Sequence, residues 1–276
     1  MPRGSEASKF HEFELLGWQR AADTYHRYFG SLTRQAIGPL LDALTMPPPA
    51  GKSLLDMATG PGYVAAEAAR RGWSPVGMDF SESMVAIARR LHPDIDFRIG
   101  DAESLPFGNA SFDAATMNFV ILHLAQPEAA IGEAFRVLRT DGRFAFSVWR
   151  MPEQGAGFRI VLEAIEEFGD PGVPLPPGPP FFRFGDPAES RHVLESHGFS
   201  DVATVDASLL WTLESPSDFF EAFLKGSART GGLLRAQAEP ALAKVREAIQ
   251  KRIAACWRNG RLEIPMPALI VSGRKA

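Results

Sequence analysis

The sequence predicts an α/β fold: a doubly wound, Rossmann-like, mostly parallel sheet with an N-terminal helical cover and a helical lid insertion. Short apolar segments of strand length alternate with amphipathic segments between residues 53 and 149, which is typical of parallel sheets. The composition, 45% apolar and 22% charged, is that of a globular protein. We expect three units: a cover at 1–50, a ligand-binding core at 51–150, and 151–276, which completes the sheet and carries a substrate-side insertion at about 212–260.

The N-terminal segment, 10–45, carries apolar residues at helical spacing and predicts two helices. These residues are Leu15, Trp18, Ala22, Tyr25 and Phe29, then Leu32, Ala36, Leu40 and Leu44. Three consecutive prolines, Pro47 to Pro49, followed by Gly51 cannot continue a helix. A new unit is therefore expected to begin at Lys52.

The central segment alternates between strands and helices. Predicted strands cover 53–57, 74–79, 95–99, 112–118 and 142–149. Predicted helices cover 63–71, 82–91 and 127–138. Since each helix connects two strands, the strands should run mostly parallel.

The C-terminal part predicts a helix at 158–168 and then six prolines between 171 and 180, which indicate a rigid extended loop. A helix at 187–197 and a strand at 202–211 follow. Two helices within 216–259 and a last strand at 262–272 complete the chain. A helical block between two strands predicts an inserted lid.

A glycine turn joins the first strand to its helix. Such a turn lets a ligand approach the backbone closely. Read as Gly60-x-Gly62-x-x-Ala65, it satisfies the relaxed dinucleotide fingerprint, and Asp79 lies where a ribose-binding acid is expected. On spacing alone, an NAD(P)-dependent oxidoreductase remains possible.

Charge favours another ligand class for the same turn. Asp56 immediately precedes the turn and would repel a pyrophosphate, while Pro61 removes one backbone donor. A ligand with an ammonium, a sulfonium and a ribose suits both Asp56 and Asp79. S-adenosyl-L-methionine has all three groups, so the electrostatics favour the methyl donor.

Five ordered motifs carry a family resemblance over roughly residues 50–150. They are LLDMATGPG at 54–62, VGMDFSESM at 76–84, GDAESLPF at 100–107, FD at 112–113 and RVLRTDGR at 136–143. With this order and spacing, the sequence resembles the class I S-adenosylmethionine-dependent methyltransferases, in particular the ubiquinone/menaquinone biosynthesis C-methyltransferase group. Ala58 stands where the most common loop pattern has its first glycine.

The resemblance implies a set of cofactor-binding residues at the carboxyl ends of the strands. Asp56 would face the methionine amino group, directly or through water, Asp79 would accept both ribose hydroxyls, and Asn118 would offer a polar atom near the methionine moiety. The complete set is Asp56, Ala58, Thr59, Gly60, Gly62, Asp79, Phe80, Met84, Asp101, Ala102 and Asn118. It assigns no catalytic residue.

The adenine side of this set has structural alternatives. The resemblance places Phe80 and Met84 on the adenine faces and Asp101, with the Ala102 backbone, at the adenine edge. Met84 could equally pack in the core, because it lies in the first turn of an amphipathic helix. Asp101 could be a turn former in a polar loop.

Other candidates also have two interpretations. Asp79 could cap the helix at 82, although Ser81 is the better placed cap, and Asp56 could be a solvated strand end. His123 lies just beyond the fourth strand and is a candidate base, but a histidine among apolar residues is more often structural. On the N-terminal helices, Trp18, Tyr25 and Phe29 either cover the cofactor or only pack helices together. The basic run at 244–261 is either a solvated helix face or an attractant for anions.

Charge and composition limit the partners. A net charge of −4 argues against binding nucleic acid by counterion release. A single cysteine indicates a cytoplasmic protein, and no run approaches the roughly 18 apolar residues of a spanning helix. Scattered histidines predict no metal site.

These observations predict an S-adenosylmethionine-dependent methyltransferase acting on a small organic acceptor at carbon, oxygen or nitrogen. Aromatic residues beyond residue 150 are expected to roof the acceptor cleft, or else to form core between lid and sheet: Phe181, Phe182, Phe184, Trp211, Phe219, Phe220 and Phe223. An oxidoreductase, a nucleic-acid methyltransferase and a non-catalytic binder of the donor remain alternatives.

Overall fold

A computed structural model describes residues 4–44 and 51–276. The break expected at Pro47 to Pro49 lies outside these residues. Within them, no helix is both long and apolar enough to cross a membrane.

The described part of the chain contains helices and strands in the following order. The helices are α1 (Ser5–Tyr28), α2 (Gly30–Thr33), α3 (Ile37–Asp42), α4 (Tyr63–Arg70), α5 (Glu82–Leu91), α6 (Pro127–Val137), α7 (Ala156–Phe168), α8 (Pro187–Ser196), α9 (Pro216–Gly226), α10 (Arg229–Arg235) and α11 (Glu239–Ile253). The strands are β1 (Ser53–Met57), β2 (Ser74–Asp79), β3 (Asp96–Ile99), β4 (Phe112–Asn118), β5 (Leu138–Trp149), β6 (Phe199–Ala207), β7 (Leu210–Leu213), β8 (Trp257–Arg258), β9 (Arg261–Pro265) and β10 (Ala268–Lys275).

The main sheet confirms the predicted fold class. Its strand order is β3-β2-β1-β4-β5-β10-β6, and the first five of these strands run parallel. Strand β10 is antiparallel to both β5 and β6. The strand order reverses direction at β1 and β4, so the crevice outside their carboxyl ends is where a ligand is expected to bind.

A second, smaller sheet corrects two predicted strands. It has the order β7-β9-β8, and β7 pairs antiparallel with β9. The predicted strand 202–211 is in fact β6 in the main sheet and β7 in the small one. The predicted strand 262–272 likewise divides into β9 and β10, because Pro265 and Pro267 lack the N–H groups that a continuous ladder needs.

The helical segment between β7 and β9 also differs from expectation, since it contains three helices rather than two. Helix α9 ends at Gly226, and the following Ser227 hydroxyl both donates to Phe223 O at 2.8 Å and accepts the Gly231 N–H at 2.9 Å. This side chain satisfies backbone groups on both sides of the break, which allows α10 to start in a new direction.

Helix α1 is one long helix of 24 residues that packs against both α5 and α9. Gly17 permits a close approach of α1 to the start of α10, because a Cβ there would lie 2.7 Å from the Cβ of Ala228, which precedes α10. Phe10 and Glu14 are both buried on the same helix. A buried carboxylate on a covering helix is unusual and needs a partner.

Candidate active site

The glycine turn after β1 adopts a strained path. Ala58, Gly60 and Gly62 have φ values of 51°, 54° and 81°. Glycine adopts such angles at no steric cost, whereas a Cβ makes them unfavourable. The alanine at position 58 is therefore accommodated in the left-handed conformation that a glycine would more easily provide.

Asp56 is buried at the end of β1 and holds this turn in place. One carboxylate oxygen accepts the Thr59 hydroxyl at 2.5 Å and the Ala65 N–H at 3.2 Å, and the other accepts the Thr116 hydroxyl at 3.1 Å. Burial raises the pKa of Asp56 to about 6, although these hydrogen bonds oppose the shift. Asp56 is only 1% exposed, so the alternative interpretation of this residue as a solvated strand end is wrong.

Asp79 ends the neighbouring strand and is tied to the same turn. Its Oδ2 accepts the Gly60 N–H at 2.8 Å and its Oδ1 accepts the Ser81 N–H at 2.9 Å. Burial raises the pKa of Asp79 to about 6 as well. Ser81, not Asp79, caps α5 through the Met84 N–H. A carboxylate can accept about four hydrogen bonds, so Asp79 retains capacity for a ligand.

A first cavity lies over these strand ends and contains about 840 Å³ of space free of protein atoms. This figure includes space that is open to solvent. Ten of the eleven residues expected to bind the cofactor line it: Asp56, Ala58, Thr59, Gly60, Asp79, Phe80, Met84, Asp101, Ala102 and Asn118.

Gly62 is the predicted residue that does not line the first cavity. A Cβ at this position would lie 2.6 Å from the ring of Phe97, which packs under the turn. The glycine is therefore required for the approach of the turn to Phe97 as well as for its own φ of 81°.

Two predicted residues use their polar atoms within the protein. Asn118 donates to Thr33 O at 3.2 Å and accepts the Ser147 hydroxyl at 2.6 Å, which fixes its amide at the end of β4. Asp101 accepts the Glu103 N–H at 2.9 Å, the turn contact expected of its alternative interpretation. Met84 both lines the first cavity and packs against Ala22, so neither interpretation of it excludes the other.

Helix α1 closes the first cavity through a row of side chains that are seven residues apart. His11, Trp18 and Tyr25 all line the cavity. His11 Nε2 lies 3.1 Å from Asp101 Oδ2, and its ring meets that of Phe80 edge to face. Sequence reasoning identified Trp18 and Tyr25 but missed His11. Its seven-residue spacing from Trp18, which places both on one helix face, could have identified it.

A second cavity, with about 440 Å³ of free space, adjoins the first. Its walls are mainly aromatic: Trp18, Tyr25, Phe29, Phe119, Trp149, Phe158, Phe181 and Phe223. Trp18, Tyr25, Phe119 and His123 line both cavities. The two spaces therefore meet at His123 and its aromatic neighbours.

Seven aromatic residues were expected to roof this region, and they take different positions. Phe182 lies outside the second cavity, partly buried against the main core cluster. Phe181 and Phe223 line the second cavity. Phe184, Trp211, Phe219 and Phe220 are almost fully buried and belong to the main core cluster. These four residues therefore form core, which was the alternative to a roof over the acceptor cleft.

His123 pairs with the buried carboxylate of α1. Its Nδ1 lies 3.1 Å from Glu14 Oε2, and Glu14 is fully buried. The rings of Trp18 and Phe181 contact the imidazole edge to face, at centroid distances of 4.8 and 5.6 Å. Glu14 is the one polar partner of His123 among residues 4–44 and 51–276, which leaves Nε2 without a protein partner there.

Comparison with known proteins agrees with this geometry. The "Methyltransferase domain" family matches residues 55–146, from β1 to β5. A ubiquinone/menaquinone biosynthesis C-methyltransferase of Methylobacterium nodulans is 32% identical over 177 residues, which are 52% of this chain and 70% of that protein. The chain belongs to the class I S-adenosylmethionine-dependent methyltransferases. Its cofactor is S-adenosylmethionine, and the nicotinamide interpretation of the glycine turn is set aside.

Other relatives of this methyltransferase support the same family. A demethylmenaquinone methyltransferase of Renibacterium salmoninarum is 37% identical over 129 residues, 47% of this chain and 53% of that protein. The chain spans about half the length of the first curated relatives it matches. In structure, it resembles a Haemonchus contortus phosphoethanolamine N-methyltransferase 2 in complex with S-adenosyl-L-methionine, with a TM-score of 0.60 and 17% identity over 96% of this chain and 60% of that one.

Proposed function

We propose that this methyltransferase transfers a methyl group from S-adenosylmethionine to a small organic acceptor with an aromatic or otherwise apolar body. The observation that carries the proposal is the junction of the two cavities. The first is lined by carboxylates together with aromatic and other apolar residues, the second mainly by aromatic rings, and four residues line both. Displacement at a methyl carbon requires donor and nucleophile to meet in line and out of water, which such a junction would provide.

In this proposal the donor occupies the first cavity with its ribose at Asp79 and its methionine part near Asp56 and Asn118. Because protein donors already engage the Asp56 carboxylate at three points, its effect on the donor ammonium would be mainly electrostatic or through water. Phe80, Met84 and Ala102 would enclose the adenine. All of these are proposals for ligand contacts, supported by the lining of the cavity.

His123 is the proposed base for an acceptor that carries a hydroxyl. The acceptor oxygen would supply the electron pair that forms the new bond to the methyl carbon, while the electrons of the broken carbon–sulfur bond return to sulfur. The hydroxyl proton would move to His123 Nε2, and the resulting imidazolium would be stabilised by Glu14 at Nδ1. This gives S-adenosylhomocysteine and the methyl ether, with charge conserved.

Two measurements test the proposal. Calorimetry should detect binding of S-adenosylmethionine and of S-adenosylhomocysteine to the full chain. A labelled-donor assay should then transfer label to small-molecule extracts containing phenols, quinols or amines, and not to total RNA or denatured protein. Label found in macromolecules alone would refute the acceptor class, and absence of donor binding would refute the proposal as a whole.

We also propose a cytoplasmic location without a nucleic-acid partner. The single Cys256 and the net charge of −4 support this. Fractionation of cells that express the full chain, followed by nuclease treatment, would test both statements. Retention in a nucleic-acid fraction that nuclease releases would contradict them.

A further inference from the structure

A third cavity lies outside the second, beneath the proline-rich segment. It contains about 840 Å³ of free space and shares Phe158, Phe181 and Thr230 with the second cavity. Each cavity therefore shares wall residues with the next, in a row from the glycine turn to the proline-rich segment.

The walls of the third cavity are almost entirely apolar. Besides Arg229 and Thr230 they are formed by Phe10, Phe13, Phe158, Leu162, Pro171, Val173, Leu175, Pro176, Pro177, Gly178, Phe181, Phe182 and Leu233. The proline-rich segment is packed closely onto α1, because a Cβ at Gly178 would lie 2.3 Å from the Phe10 ring. Close packing of this kind gives the cavity a fixed wall on that side.

Arg229 is the charged residue among these walls. Its guanidinium lies over the rings of Phe10 and Phe181, at 5.2 and 5.5 Å from their centroids. Burial lowers the pKa of Arg229, and the charge of Glu14 partly opposes this effect. An arginine nevertheless stays protonated in a protein, so the cavity contains a permanent cation.

This cation has few hydrogen bonds. A guanidinium has five N–H donors, yet the contact made by Arg229 is a long one, from Nη1 to Leu122 O at 3.5 Å. Within residues 4–44 and 51–276 it has no carboxylate partner within 4.0 Å, and the nearby Glu14 is engaged with His123. A partly buried cation with unused donors in the wall of an apolar cavity is suited to an anionic ligand.

We propose that the third cavity binds the anionic end of the methyl acceptor, through a carboxylate or a similar acid group held by Arg229. The acceptor is then an apolar acid: its reacting group lies at His123, its body crosses the second cavity, and its acid group meets Arg229. Arg229 Nη1 donates to Leu122 O, so the guanidinium lies beside the residue that precedes the proposed base, although Arg229 and His123 line different cavities. This inference rests on the proposed function and adds a substrate class to it.

The test compares acids with their uncharged amides, using the full chain and no methyl donor. The probes are naphthalene-2-carboxylate with naphthalene-2-carboxamide, and octanoate with octanamide. Their dissociation constants are measured by calorimetry or by quenching of tryptophan fluorescence, since Trp18 and Trp149 line the second cavity. For at least one pair we expect the acid to bind about tenfold more tightly than the amide, the value of hydrogen bonds to a charged group.

Three variants localise this preference. In Arg229→Met, which keeps an unbranched side chain and removes the guanidinium, the acid and amide should bind within about twofold of each other. Arg229→Lys should retain part of the preference. Arg235→Met is the matched control, because Arg235 lies on the same helix, donates to Leu224 O and Ala228 O, and is absent from the third cavity wall. It should leave the preference unchanged.

Three results would overturn the proposal: equal affinity of acid and amide in the wild type, no saturable binding of either acid, or an undiminished preference in Arg229→Met. The comparison of acid and amide affinity in the wild type tests the proposal even if a variant does not fold. Thermal unfolding of each variant shows whether it is folded. Donor calorimetry separates the two proposals. If the chain binds the donor but shows no preference for the acid, only the proposed acid site is refuted. If it prefers the acid but does not bind the donor, the proposed methyltransferase function is refuted and the acid-binding cavity stands.

Discussion

The first and second cavities adjoin but are built in different ways. The first is formed largely by residues at strand ends and in the turns that follow them, and its polar groups are held by short-range hydrogen bonds such as that from the Gly60 N–H to Asp79. The second is formed by rings from α1, α7, α9 and the loops between them. In the proposed function, donor recognition therefore depends on the sheet edge, while acceptor recognition depends on how distant segments pack.

The largest effect on turnover is expected from a substitution at His123, which lines both cavities. His123→Gln should lower turnover of a hydroxyl acceptor by about 10²- to 10⁴-fold, the usual contribution of general base catalysis. Donor affinity should change by less than about twofold, because the ribose and methionine contacts are elsewhere. Steady-state kinetics together with donor calorimetry measure both quantities. An unchanged turnover number would exclude His123 as the base.

Asp79→Ala, unlike His123→Gln, should mainly weaken binding of the donor. It removes the acceptor of both ribose hydroxyls, so donor binding should weaken by about 1.5–3 kcal/mol. His123→Ala is the matched control and should retain donor affinity. If the Asp79 variant binds the donor as tightly as the wild type does, the ribose site is misassigned.

The two buried carboxylates predict a pH effect on donor binding in the first cavity. With the pKa of both Asp56 and Asp79 raised to about 6, protonation below that pH removes negative charge facing a cationic donor, so donor affinity should fall as pH decreases through about 6. Calorimetry between pH 5 and 8 measures it. Asp79→Asn should flatten the profile, and an equally steep profile in this variant would argue against the assignment.

The same shifts predict the reverse trend for stability of the ligand-free chain. The folded pKa of about 6 exceeds the unfolded value of 3.8, so between these values the folded state binds more protons than the unfolded state. The contribution of these groups to the free energy of unfolding should therefore decrease as pH rises from about 4 to 6. Urea unfolding at several pH values tests this, with Asp79→Asn as the comparison. A contribution that increases with pH over this interval would contradict the shifts.

The smallest effect concerns the turn itself. Ala58→Gly should relieve a left-handed conformation that costs about 1–2 kcal/mol, offset by the larger conformational entropy of glycine in the unfolded chain. We expect the free energy of unfolding to change by less than about 1 kcal/mol. Thermal unfolding measures this, and Ala66→Gly, in the middle of α4, should destabilise by about 1 kcal/mol as a control. A large loss in Ala58→Gly would show that the alanine side chain itself supports the turn.

The sequence alone determined most of the fold and of the first cavity, because the signals are local. Asp56 and Asp79 directly end apolar strands, and the carboxyl ends of parallel strands meet at one edge of a sheet. The same reasoning could not separate β6 from β7 or β9 from β10. The sequence pattern of a continuous apolar segment is the same whether the segment forms one strand in one sheet or two strands in two sheets.

Only the tertiary structure decided what surrounds the acceptor space. Glu14 and His123 are 109 positions apart in the chain, and Arg229 approaches them from a third segment, so no spacing rule relates them. The positions of the seven late aromatics likewise depended on packing: Phe219 and Phe223, four residues apart on one helix, are both buried in the core, but Phe223 also lines the second cavity whereas Phe219 does not. Hydrophobic burial has no direction, so the sequence shows which residues are apolar, and only the packed chain shows which of them leave room for a ligand.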